Sequence, residues 1–137
     1  MNHRIGAILL VVAATLVACS GETQPPLVAD DVRISGPMPR MKAGYMTLTN
    51  NTDEAIRITR VSSPQFGRAE IHETFLEDDV ARMRPVGVLT IPAGDAARLE
   101  PGGKHLMLMQ PVDSPQTVTL NLYSDEMLLL SVLADIE

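Results

Sequence analysis

Cysteine is almost missing from this chain: Cys19 is the single one in 137 residues. No disulfide can form within the chain, and thiolate metal centres have no ligands in the region that folds. Tryptophan is absent and only two Phe and two Tyr occur, so the core must rest on Leu, Val, Ile and Met. Positive charge is also scarce. With 11 basic against 17 acidic residues the net charge is −6, which argues against nucleic acid or an anionic membrane surface as partner. No glycine-rich phosphate loop occurs, and no Ser, His and Asp arrangement suggests a hydrolase. No helical period runs longer than two turns.

The longest apolar run, Ile5 to Ala18, is broken only by Gly6 and Thr15 and follows the positive Arg4. At fourteen residues it is shorter than the roughly 20 that span a bilayer. It ends in Leu16-Val17-Ala18-Cys19, which resembles the lipobox of bacterial lipoproteins, where the cysteine is diacylated and becomes the N-terminus. We therefore expect a signal peptide over 1–18, a lipidated Cys19 and tether over 19–29, and one folded domain over 30–137. Each buried methylene of an acyl chain contributes roughly 0.8 kcal/mol, enough for two or three chains to hold the protein on a membrane. The expected location is the periplasmic side of a bacterial membrane, inner or outer being left open.

The rest of the chain reads as short alternating segments separated by Gly, Pro, Asn and Asp. Candidate strands fall near 31–36, 44–50, 55–62, 68–76, 80–86, 88–92, 96–100, 104–110, 116–123 and 126–133. In Thr117 to Tyr123, Val118, Leu120 and Leu122 face one way and Thr117, Thr119 and Asn121 the other, marking a sheet buried on one face. Met127 to Leu133 is apolar on both faces and is expected to lie centrally. About nine short antiparallel strands predict an all-β Greek-key sandwich or barrel.

Three histidines occur, and His3 lies in the segment expected to be removed. His72, Met83, His105 and Met107 follow one another with ten, twenty-one and one residues between. A hairpin turning at Glu77-Asp78-Asp79, centred between Glu77 and Asp78, puts His72 directly opposite Met83. His105 and Met107 share a strand face. Two imidazoles and two thioethers form a soft, neutral donor set suited to Cu(I), whereas Zn(II) recruits cysteine, histidine or carboxylate. Met46 and Met127 read as core filler. Met38 and Met41 sit in a Pro-containing loop with a lesser claim as ligands, and Met109 reads as packing or a substitute ligand. Glu73, Arg82 and Arg84 flank the site; they read as solvated strand faces, with histidine orientation or partner docking as the lesser alternative.

At these four positions the chain resembles the PCu(A)C family of periplasmic copper chaperones, also called DUF461, whose motif is His-x10-Met-x21-His-x-Met. The surrounding segments Ala43-Gly44-Tyr45-Met46-Thr47-Leu48, Arg82-Met83-Arg84-Pro85-Val86, Ile91-Pro92-Ala93-Gly94 and Pro101-Gly102-Gly103-Lys104-His105-Leu106-Met107-Leu108-Met109 resemble it as well. The likeness covers residues 30–135. It implies a cupredoxin-like fold, one Cu(I) per chain, and copper supply to the CuA or CuB centre of a haem-copper oxidase, beside a Sco-type partner. Some relatives carry a Met- and His-rich C-terminal extension with a second copper site, which the segment Ala134-Asp135-Ile136-Glu137 does not resemble. Rival readings are a copper storage or tolerance protein using the same site, and a metal-free lipoprotein interaction module. A blue-copper redox enzyme is excluded because the folded region lacks the cysteine ligand.

Overall fold

The computed structural model describes residues 23–137; the expected signal peptide and Cys19 lie outside them. Among the described residues there is no helix. Eleven strands follow in order: β1 Leu27–Ser35, β2 Met41–Asn50, β3 Ile56–Ile58, β4 Arg60–Ser62, β5 Phe66–Glu77, β6 Val80–Pro85, β7 Leu89–Ile91, β8 Ala96–Leu99, β9 Lys104–Pro111, β10 Thr117–Ser124 and β11 Met127–Asp135. All named pairings are antiparallel. The main sheet has the order β1-β2-β9-β5-β6, with β8 also against β2; β11-β10-β4 form a second sheet and β3-β7 a third. The all-β, cupredoxin-like architecture expected from the sequence is the one found, with eleven strands instead of about nine.

The core lies between the sheets, and alternation explains how each strand enters it. On β10, Val118, Leu120 and Leu122 are fully buried while Thr117, Thr119 and Asn121 are half-buried. On β2, Gly44, Met46, Leu48 and Asn50 face inward, which leaves Met41, Ala43 and Tyr45 on the outer face. Gly44 is required by close approach: a Cβ there would lie 3.0 Å from the Leu106 Cβ and 3.1 Å from the Ile34 Cδ1. On the edge opposite β1, β2 serves two further partners, pairing with β9 through residues 41–44 and with β8 through residues 46–49. β9 differs from the other strands in being buried on both faces. Leu106 and Leu108 point into the core, while His105 and Met107, on the outer face, are only 6% and 7% exposed.

Three expectations need correction. The stretch 55–62, read as one strand, is two: β3 pairs with β7 and β4 with β10, the break falling at Thr59. β1 begins at Leu27, inside the stretch expected to be tether, because Leu27 pairs with Asn50 and is buried in the core. β11, expected at a sheet centre, is an edge strand paired only with β10 within its sheet, and its Met127, Leu128 and Leu133 are exposed. Met127 is therefore not core filler, whereas Met46 is. Apolar residues on both faces record composition, and pairing is decided by which neighbours the chain supplies.

Candidate metal centre

β5 and β9 are neighbours in the main sheet, and their register makes His72 and His105 direct partners. Both point to the outer face, since Ile71 and Leu106 beside them enter the core. The ring centroids are 6.3 Å apart with the planes inclined at 56°. A metal–nitrogen bond of about 2.0 Å puts an ion roughly 3.2 Å from each ring centre, so the 6.3 Å span lies just within the reach of one ion shared by the two rings. Met107 follows His105 by two residues on the same face.

Met83 arrives by a different register from the one expected. The hairpin turns between Asp78 and Asp79, one residue later, and pairs His72 with Pro85 and Thr74 with Met83. Asp78 and Asp79 have φ of 50° and 61°, the left-handed values that a two-residue type I′ turn demands at both central positions. A displacement of one whole residue changes the pairing by two, so Met83 stays on the face of His72 as a diagonal neighbour. Such neighbours lie about 7–8 Å apart at Cα, within reach of a methionine side chain. Met83 is 56% exposed on the edge strand β6. The hairpin also outruns β9: beyond the Thr74 N–H bond to the Gly103 carbonyl, 3.0 Å, it continues as two strands alone.

Both imidazoles are held in one tautomer. His105 Nδ1 lies 3.1 Å from the Gly103 carbonyl. A carbonyl only accepts, so Nδ1 carries the proton and Nε2 keeps its lone pair. His72 Nε2 lies 2.9 Å from Glu70 Oε2. The bonds from His72 and Arg68 hold the Glu70 carboxyl below its usual value despite partial burial, so it is ionised and His72 Nε2 is the donor. The lone pair of His72 is then on Nδ1. Arg68 completes the chain with Nε and a terminal nitrogen 2.8 and 2.7 Å from Glu70 Oε1. Orientation of a histidine by a carboxylate or a carbonyl is the usual support for a metal-binding imidazole.

Glu70 was not singled out by the sequence, although it stands two residues before His72 on the same face. Glu73, which flanks His72, lies on the opposite face and binds Arg84 at 2.6 Å and Lys104 at 3.9 Å. Arg82 binds Glu77 at 2.6 Å and Arg84 lies over the Phe75 ring at 4.8 Å. These charges brace the far side of the hairpin. Among the described residues no three His, Cys, Asp or Glu side chains are grouped to hold a metal.

The profile described as "Putative lipoprotein LpqE-like" matches residues 26–126. The chain belongs to this family. It is the PCu(A)C family that the sequence motif resembles. A "Putative lipoprotein" of Leifsonia xyli subsp. xyli, Lxx21020, is 27% identical over 132 residues, covering 88% of this chain and 80% of that protein. An uncharacterised Rickettsia prowazekii protein, RP573, is 31% identical over 70 residues, half of this chain and 39% of its own length. Among solved structures, the copper-bound PCuAC domain from PmoF2 is similar with a TM-score of 0.64 at 17% identity, over 82% of this chain and 92% of that one. Apo-DR1885 from Deinococcus radiodurans is similar with a TM-score of 0.56 at 28% identity, over 100% of this chain and 96% of that one.

Proposed function

We propose that this LpqE-like protein is an extracytoplasmic carrier of Cu(I), binding one tightly held ion through His72, Met83, His105 and Met107. The observation that carries this reading is the direct pairing of His72 with His105, each ring locked in a tautomer with one free nitrogen, and thioethers on the same face. The donor set is soft and neutral, as a monovalent d10 ion prefers. That a related PCuAC domain has been obtained copper-bound supports the choice of metal.

In this reading the protein is a carrier and catalyses no reaction on a substrate; copper is its cargo. His105 and Met107 form the buried half of the site, and Met83 on the exposed hairpin forms the half that opens. The ion leaves by stepwise ligand exchange: an acceptor thiolate or imidazole displaces Met83 first, and the stronger donors of the acceptor give the transfer its direction. The finer proposal is supply to the CuA or CuB centre of a haem-copper oxidase, with a Sco-type protein as intermediate or co-acceptor. Lipidation at Cys19 keeps the carrier at the membrane that houses such an oxidase.

Anaerobic Cu(I) titration of the purified protein against a chromophoric chelator tests the binding. One tight equivalent is expected, lost in the His72→Ala/His105→Ala variant. Unchanged tight binding in that variant refutes the site. Delivery is tested by oxidase assembly in copper-poor medium with and without the gene; equal assembly favours storage or tolerance.

A further inference from the structure

The outer face of the main sheet carries more methionine than the proposed centre uses. Eight methionines occur in the chain. Met46 is in the core and Met127 is exposed on β11, but Met41, Met83, Met107 and Met109 lie on this face, and Met38 is in the turn that leads into β2. Met41 and Met109 are direct partners across β2 and β9, in the register that also pairs Ala43 with Met107. Direct partners on one face have Cβ atoms about 4.5–5.5 Å apart. Met38 and Met41 are joined by a turn in which the Met41 N–H donates to the Met38 carbonyl at 3.3 Å, and Met38 is half exposed. A four-residue turn closed in this way keeps its end Cα atoms within about 7 Å.

Packing does not account for this group. Met41 and Met109 are half-buried, yet neither belongs to the hydrophobic core or to the partly buried side chains packed against it. Along β9 the sequence His105, Met107, Met109 steps down one face, about 7 Å per step. The thioethers thus continue the line of the proposed centre toward solvent at the Met38–Met41 turn.

We propose that Met38, Met41 and Met109 form a second, thioether-only site for Cu(I), which exchanges its ion with the main centre through Met107. The inference deepens the copper-carrier reading, on which its biological sense rests. Three neutral sulfurs suit a monovalent soft ion and hold it more weakly than the imidazoles do. Such a site receives copper from solution or a donor at one end of the sheet face, while Met83 releases it at the other.

The test uses the full-length protein with 13C-labelled methionine methyl groups and Ag(I), a redox-silent d10 probe. The first equivalent is expected to move the Met83 and Met107 signals, and the second those of Met38, Met41 and Met109. In Met41→Leu/Met109→Leu, a substitution of nearly conserved volume, the second equivalent is lost and the first retained. In His72→Ala/His105→Ala the first is lost and the second retained. A second equivalent that survives in the leucine variant, or leaves the Met38, Met41 and Met109 methyls unmoved, overturns the proposal. A single equivalent confined to the histidine centre overturns it and leaves the carrier reading standing; no binding at all overturns both.

Discussion

Glu70 is the residue on which the poise of the proposed centre turns. Its carboxylate accepts the hydrogen bond donated by His72 Nε2 and is itself held by Arg68. Glu70→Gln keeps the shape and removes the charge, so His72 loses the preference that fixes its free nitrogen. Cu(I) affinity should fall about 10–100-fold, the range typical of second-shell changes at metal-binding histidines. Imidazole 15N shifts should report a mixed His72 tautomer, which a purely steric effect does not produce. Asn50 does comparable work for the fold. It is fully buried, its amide nitrogen lies 2.7–3.0 Å from the carbonyls of Glu54, Ile91 and Pro92, and its Oδ1 accepts from the Thr52 N–H and hydroxyl. Asn50→Ala strands those groups and should cost about 2–3 kcal/mol in urea unfolding. Neither residue stands out in the sequence, because a carboxylate and an amide acquire these roles only from partners elsewhere in the fold.

At the scale of the element, the β5–β6 hairpin decides how the proposed site opens. Its two central aspartates occupy left-handed φ, where glycine carries no steric cost. Asp79→Gly should therefore stabilise the protein by about 0.5–1 kcal/mol, visible as a higher melting temperature, and leave the proposed copper affinity unaltered. Loss of binding in that variant would show that the hairpin's stiffness, and not only its register, holds Met83 in place. The acidic run Glu77-Asp78-Asp79 is legible as a turn, but its centre is not. A sequence offers no means to choose between turns one residue apart when both keep the same faces. β11 shows the opposite limit: seven apolar-rich residues announce a strand without saying that it ends the sheet.

For the molecule as a whole, burial in the fully enclosed Val118, Leu120 and Leu122 layer sets stability. Leu120→Ala should cost about 2–5 kcal/mol by chemical denaturation. Acid acts at another point. Glu70 has a folded pKa below the usual 4.5, so its ion pairs favour the folded state above that value and lose this contribution as the pH falls through the folded pKa. Urea midpoints measured from pH 6 down to pH 3 should decline, and the decline should be shallower in Glu70→Gln. An equal slope in both proteins would assign acid sensitivity to other carboxylates.

The amino-acid order determined that the chain is a disulfide-free β-fold and where most strands lie, because a single cysteine leaves no pair to bridge and a period of two is a local property. It also singled out four soft donors by spacing alone. The tertiary structure decided that the two histidines are direct partners, that Met83 lies diagonally across from His72, and that Glu70 rather than Glu73 holds His72. Those facts depend on which strand lies beside which. β5 and β9 are neighbours only because the main sheet closes in the order β2-β9-β5, a long-range pairing that no local pattern encodes.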